Sequence, residues 1–192
     1  MRAMTAAAGV NLAAVNYHFG AKEGLVVAVY ARRLRPLNEE RLRLLTQAEA
    51  RTPLRLEEIL AAYFAPVLRL LHDSERGRVF GRLLVRAMAE PGPYLAQLFL
   101  EEMAPVQERF TATLSRMLPQ LPAESLFWRM NLATSTLHGS VAGGGGLELP
   151  VQGSCDPADV EASIQQLVEF TAAGMRTGEA TSTFKKQDRE MN

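Results

Sequence analysis

Residues 11–22, NLAAVNYHFGAK, gather side chains suited to touching nucleic acid. Asn16 carries an amide that can pair with N6 and N7 of adenine, and Ala13 and Ala14 are short enough to approach a thymine methyl. Tyr17 and His18 can donate to phosphate oxygens, and Lys22 adds a positive charge shortly after them. Other chemistries fail on spacing. His18, His72 and His138 are scattered, with no HExxH pattern or paired-ligand spacing. Cys155 has no placed histidine partner, and no serine sits in GxSxG. Glu57-Glu58 and Glu101-Glu102 read as solvated helix faces rather than acid/base pairs. The glycines at 143–146 follow no strand and lead into no GK[ST] or GxGxxG pattern, so they read as a flexible connection. No enzyme, cofactor or metal is expected.

The elements that would position these groups are local. Gly9-Val10 looks like a tight turn, with Gly9 free to take the positive φ that closes a preceding helix. Asn11 is a good N-cap, and a short helix should run from it to Gly20, a natural C′ residue. Val15 and Phe19, four apart, are expected to bury together with Val10. Leu12, Ala13, Asn16 and Tyr17 then form an outward patch. A helix, a glycine turn and a second short helix with small and amide side chains outward describe a helix-turn-helix.

The remaining chain reads as helices throughout. Residues 22–35 have an apolar side through Leu25, Val26, Val29 and Leu34; Pro36 then kinks the helix or breaks it before a second piece running to about 50. After a linker at Thr52-Pro53, helices are predicted over 56–71, 75–89, 94–117 (bent at Pro105), 123–141 and 156–177, with Pro157 in the first turn of the last. The tail from 179 to 192 is polar and reads as disordered. With no strand-like alternation, the fold class is all-α.

AAAGV at 6–10 and VNYHFGAKEGL at 15–25 resemble the DNA-binding region of TetR/AcrR-family transcriptional regulators. The resemblance implies that Leu12, Ala13, Ala14 and Asn16 face bases, and that Asn11, Tyr17, His18 and Lys22 face the DNA backbone. Ala21 stands where a Ser or Thr would cap the next helix. The implied architecture is a helix-turn-helix region with its connecting helix (1–46), followed by an antiparallel helical ligand-binding and dimerisation domain (47–178). The implied function is a ligand-responsive regulator, most often a repressor. It binds a palindromic DNA operator as a homodimer and is released by a small hydrophobic effector.

In the body, aromatic and methionine side chains at helical spacing, Tyr63, Phe64, Val67, Phe80, Leu84, Met88, Phe99, Met103, Phe127 and Trp128, are candidates to line an effector cavity, with plain core as the alternative. Arg82 and Arg86, one turn apart, can anchor an anionic head group or form a salt-bridged surface. The segment at 124–142 is similar to the penultimate helix of some family members, whose last two helices pair across a two-fold axis. Ala133, Ser135, Gly139 and Ala142 would permit that approach, with Ile164, Leu167 and Val168 from the last helix; an intrachain helix pair is the alternative.

Charge is divided along the chain. Residues 1–46 hold Arg2, Lys22, Arg32, Arg33, Arg35, Arg41 and Arg43 against Glu23, Glu39 and Glu40, a net of +4, within a chain of formal charge +0. The remainder is correspondingly acidic, which suits a DNA-facing end on a neutral-to-acidic body. One cysteine excludes an internal disulfide and fits a reducing cytosol, and no apolar run approaches a bilayer span; a cytoplasmic protein is expected. A three-helix DNA-binding unit needs a further helix across the turn, and residues 2–8 supply only the end of its second. With helices averaging about 11–12 residues, roughly 20 or more preceding residues are expected. If they are truly absent, the alternative function is a DNA-incompetent protein that dimerises or binds ligand.

Overall fold

The computed structural model describes residues 2–20, 22–90, 92–142, 156 and 159–177. Ala21, the glycines at 143–146, Cys155, Pro157 and the tail at 179–192 lie outside the described residues. Those residues form eight helices and no strand: α1 (Arg2–Ala8), α2 (Leu12–Phe19), α3 (Lys22–Glu49), α4 (Leu56–His72), α5 (Glu75–Ala89), α6 (Pro93–Met117), α7 (Ala123–Ala142) and α8 (Val160–Arg176). No helix among them is long and apolar enough to cross a membrane.

The body is built around α4, whose sequence LEEILAAYFAPVLRLLH is apolar on nearly every side beyond its first turn. Such a helix must be covered all round, and α3, α5, α6 and α8 pack against it. Ile59, Leu60 and Phe64 lose all contact with solvent, and Phe110 and Leu114 of α6 join them in one continuous core. Pro66 lies inside α4 and is buried with its neighbours. An interior proline removes one helical hydrogen bond and costs about 3 kcal/mol, which burial of the flanking apolar residues offsets.

The same logic resolves Pro36, where the sequence allowed a kink or a break. Helix α3 runs unbroken for 28 residues with Pro36 inside it. Leu34, Leu37, Asn38, Arg41, Leu45 and Ala48 form one buried stripe across the proline, and packing on α4 and α6 holds both halves in register. The 46/47 position therefore falls within a continuous helix that serves both parts of the chain. The last helix corrects the sequence reading: it starts at Val160 rather than 156. The Asp159 carboxylate accepts from the Ala162 N–H (3.0 Å), placing the cap three residues after Asp156.

Helices α1 and α2 sit at the start of α3. Gly9 has a φ of +65°. Its N–H donates to the Ala6 carbonyl (3.2 Å), while that of Val10 donates to Thr5 (3.0 Å). These paired bonds end α1 in a Schellman motif. The expected cluster of Val10, Val15 and Phe19 does not form. Val15 is buried, but Val10 and Phe19 remain exposed, because α2 packs chiefly on short α1 and the first turns of α3, which leaves its ends uncovered.

Candidate functional site

Asn11 opens α2 with extended backbone (φ −75°, ψ 131°), and its Oδ1 accepts from the Ala13 N–H at 2.8 Å. Its side chain is thus committed to capping, which orients the helix start. Gly20 closes α2 with a φ of +70°, its N–H donating to the Asn16 carbonyl at 2.9 Å. Two turns of helix are thereby fixed at both ends. Gly24 permits the next junction: a Cβ there would overlap the carbonyl oxygen of Phe19, so only glycine lets α3 leave α2 this closely.

Between those caps, Val15 points inward while Ala13, Ala14, Asn16, Tyr17 and His18 are exposed, as are Asn11 and Lys22. Tyr17 is 86% exposed and stands edge-on to His18, with ring centroids 5.3 Å apart. Among the described residues, neither phenol nor imidazole is tied to another part of the chain by a hydrogen bond. The backbone of Leu12 begins α2, but its side chain lies outside the described residues. The result is one short, capped helix presenting an amide, two methyls, a phenol and an imidazole to solvent, with an ammonium beside it.

The candidate cavity residues are not brought together. Phe64 is fully buried core, and Phe80 is buried against Tyr30 at a centroid distance of 5.7 Å. Phe99 meets Tyr30 edge-on at 6.0 Å. The Tyr30 hydroxyl donates to the Leu83 carbonyl (2.9 Å), and burial raises its pKa. Met88 and Arg86 lie on the exposed side of α5, and Trp128 is 58% exposed. None of the seven, Met103 included, lines the described clefts. Two of these open between α3, α4 and α8 (about 750 and 660 Å³), and a third lies beside Leu118 and Arg176 (about 370 Å³). Aromatic spacing identified the inward faces of α4, α5 and α6, which in this chain are packed against one another.

The buried cation of the body is Arg41 on α3. Its Nε donates to the Tyr63 carbonyl (2.9 Å) and its Nη1 to Asn38 Oδ1 (3.2 Å), while the guanidinium stacks on the Tyr63 ring at 4.7 Å. Met103 Sδ lies 3.9 Å from Nη1 and 3.8 Å from Asn38 Nδ2, which also donates to the Glu102 carbonyl (2.7 Å). No carboxylate among the described residues pairs with Arg41. The nearest acidic residue on α6, Glu102, turns its carboxylate to Arg35 instead (2.7 Å). Burial lowers the Arg41 pKa, although a guanidinium stays protonated. Burial, then Arg41, also lowers the pKa of His138 on α7, keeping that imidazole neutral near pH 7. A buried charge costs several kcal/mol unless it is hydrogen-bonded, and the carbonyl, amide and aromatic contacts supply those partners. The sequence signal for this cluster was available: Asn38 and Arg41 interrupt the apolar stripe Leu34–Leu45–Ala48 at its own spacing of four and three.

The expected dimer residues divide in two. Ala133, Ile164 and Val168 are buried within the protomer, and Leu167 is partly buried. The reason is that α8 packs along α4, so its apolar stripe is spent inside the chain. These four are therefore corrected to intrachain core. Ser135 and Gly139 are exposed on α7; the side chain of Ala142 lies outside the described residues. The apolar surface that remains open is Phe127, Trp128 and Leu132 on α7 with Phe170 on α8, each more than half exposed. Arg129 joins the two helices by donating from Nη1 to the carbonyls of Gly174 and Thr177 (both 2.6 Å), a cation at the C-terminus of α8.

Residues 61–174 match the family model described as the tetracyclin repressor-like, C-terminal domain. No curated protein matches the chain. The matched span runs from within α4 to within α8 and includes Tyr63 and Met103, which contact Arg41, and the open apolar surface.

Proposed function

The chain belongs to the tetracycline repressor-like family of ligand-responsive transcriptional regulators, and from that premise we propose that α2 reads DNA. The observation carrying this reading is the surface of α2. Asn16, Ala13 and Ala14 stand free to meet base edges, and Tyr17, His18 and Lys22, with the amide nitrogen of the capping Asn11, stand free to meet phosphates, on a helix whose only buried described side chain is Val15. Leu12, at the first position of α2, completes the base-facing set. Short side chains allow close approach to the groove, while the amide and hydrogen-bond donors supply recognition and register.

A single two-turn helix contacts few base pairs, so discrimination requires two. Homodimerisation through Phe127, Trp128, Leu132 and Phe170 would supply the second, since large apolar side chains left this exposed on two adjoining helices suit an interface. Two-fold symmetry in the protein then calls for a palindromic operator. Repression, with release by a small hydrophobic effector bound in the body, completes the proposal. Release needs an effector that prefers the state whose two α2 helices do not fit adjacent major grooves.

The test is binding of wild type, Asn16→Ala and Lys22→Ala to a genomic fragment library at two salt concentrations. Asn16→Ala should lose about 1–3 kcal/mol at particular base pairs while other positions keep their preference. Lys22→Ala should weaken all sequences alike and lower the salt slope by about 1. Identical sequence profiles for Asn16→Ala and wild type would remove Asn16 from base readout.

The exposed Val10 and Phe19 favour a second reading, in which this chain dimerises and binds ligand without engaging DNA. Absence of binding to every fragment at low salt, with dimerisation intact, would select it.

A further inference from the structure

Helix α5 is an exception in a body that is otherwise acidic, holding Arg76, Arg78, Arg82 and Arg86 against a single acid, Glu75. Gly77, Phe80, Gly81, Leu84 and Ala87 form its buried side, turned to α4 and α7. On the opposite side Arg78, Arg82 and Arg86 follow one another at intervals of four, all exposed. Like charges one turn apart repel, yet none of the three has a side-chain hydrogen bond or ion pair among the described residues. Other surface arginines of the body are neutralised, Arg51 by Glu58, Arg69 by Glu161 and Arg176 by Glu57. The row is an unanswered strip of positive charge, about 12 Å long at 1.5 Å per residue.

Its place in the fold points to the partner. Helix α5 meets α3 at Tyr30, whose ring packs on Phe80 and whose hydroxyl donates to the Leu83 carbonyl (2.9 Å). Tyr30 follows Lys22 by about 12 Å along α3, so α5 belongs to the end of the body that adjoins α2. Arg32 and Arg33, just beyond Tyr30 on α3, are likewise exposed and without an ion pair among the described residues. Over about 12 Å a DNA duplex presents about seven phosphate charges, enough to answer the whole row. Val79 and Leu83, exposed beside the arginines, would also suit an acidic amphipathic helix, but the position near α2 favours DNA.

We infer that the Arg78–Arg82–Arg86 row of α5 holds the DNA backbone beyond the base pairs that α2 reads, so that the body itself adds sequence-independent affinity. The inference rests on the reading that α2 engages DNA. Base choice stays with α2, and α5 contributes strength and register.

The experiment follows binding to a random-sequence duplex and to the tightest genomic fragment by fluorescence anisotropy over a series of salt concentrations. Each phosphate contact contributes about 0.9 to the slope of log affinity against log salt. Arg78→Gln, Arg82→Gln and Arg86→Gln together should reduce that slope by about 2–3 per protomer and weaken both duplexes by about tenfold or more at low salt. The sequence profile should stay that of wild type, and the same three changed to Lys should keep most of the slope. Arg55→Gln, at the start of α4 and beside the far end of α3, removes a charge away from the row and should leave the slope unchanged. Circular dichroism verifies folding; if the triple variant does not fold, Arg82→Gln alone should reduce the slope by about 1. An unchanged slope in a folded variant, the result expected if the row serves an acidic protein, would overturn the inference. An equal fall in Arg55→Gln would do the same, and in both cases wild type still binds DNA and the reading of α2 stands. Equal affinity of wild type for both duplexes, with slope lost in the triple variant, would sink base reading by α2 and leave the α5 contact intact. No binding of wild type to either duplex would overturn both.

Discussion

Glu49 ties the C-terminal end of α3 to α6, and its removal should destabilise the body by an amount that can be built from its contacts. Oε1 accepts from the Thr113 hydroxyl at 2.6 Å and from Arg116 at 2.9 Å, while Oε2 accepts from Arg109 at 2.8 Å. Thr113 is fully buried, so its bond to a charged acceptor contributes about 1.5 kcal/mol. Both arginines are about half exposed or more (47% and 67%), and solvent screening leaves about 0.5 kcal/mol for the two pairs together. Glu49→Ala should therefore cost about 2 kcal/mol. For a chain of this size that is a fall of about 4–8 °C in Tm, measured at fixed protein concentration so that any self-association contributes equally to each variant. Glu49→Gln keeps an acceptor for Thr113 and should lose about half as much.

The pH dependence follows from the same contacts. Thr113 first, then Arg109 and Arg116, lower the Glu49 pKa, against an opposing effect of burial. A carboxyl whose folded pKa is depressed stabilises fully above its unfolded value, about 4.3, and loses that contribution as pH falls through the folded value. The gap between wild type and Glu49→Gln should accordingly hold from neutrality to about pH 5 and close below about pH 4. In a cycle with Thr113→Val, the double variant should cost less than the two singles together, because both remove one bond. Melting curves across this pH range provide the assay. A Glu49→Ala variant that melts with wild type, or a gap as wide at acid pH as at neutrality, would refute the reasoning.

Two further substitutions probe the ends of the molecule. Gly24→Ala should displace α2 through overlap with the Phe19 carbonyl, abolishing DNA binding while the body's melting temperature stays near wild type; fluorescence anisotropy with a DNA fragment and calorimetry read the two separately. Leu132→Glu places a charge on the exposed apolar side of α7, one turn from Trp128, and should shift the proposed dimer to monomer in sedimentation velocity. A Leu132→Glu dimer as tight as wild type would locate the interface elsewhere.

Local chemistry made much of this fold legible. Asn11 and Gly20 bracket α2 because a side-chain oxygen and a positive-φ glycine suffice to start and stop a helix, whatever else the chain does. The 75–89 helix has the bounds expected from its apolar spacing and the Pro91-Gly92-Pro93 stop, and Ser74, accepting from the Gly77 N–H, caps its start. Errors came where a distant partner decided. The 156–177 helix was given an early start because Pro157 is a good first-turn residue, but Asp159 supplies the cap. Ile164 and Val168 read as an interface because their stripe is apolar. Only the docking of α8 along α4, about a hundred residues earlier, shows that the stripe is already covered. Trp128 is a cavity candidate by aromatic residues at helical spacing, with plain core as the alternative; it is 58% exposed, because such spacing does not distinguish inward from outward on a helix as evenly apolar as α7.

Arg41 is the most instructive omission, because its pattern was visible and its meaning was not. A guanidinium on an amphipathic helix is ordinarily solvated, and counting it toward the basic end of the chain was the local reading. It is buried because Tyr63 and Met103, 22 and 62 residues away in sequence, close over it. The position matters mechanically as well. Seventeen residues separate Arg41 from the tight α2–α3 junction at Gly24, about 26 Å along a helix rising 1.5 Å per residue. A rod of that length tilted by about 5° moves its far end by about 2 Å, which is large against the tolerance of hydrogen bonds to base edges. Pro36 lies between the two points and lacks the N–H that would close on the Arg32 carbonyl. A ligand that tilts α3 at this point therefore needs no chain of intermediaries to reach the exposed face of α2. Were α2 to hold DNA, that ligand's differential affinity for the tilted helix would be, by linkage, the factor by which DNA weakens its binding.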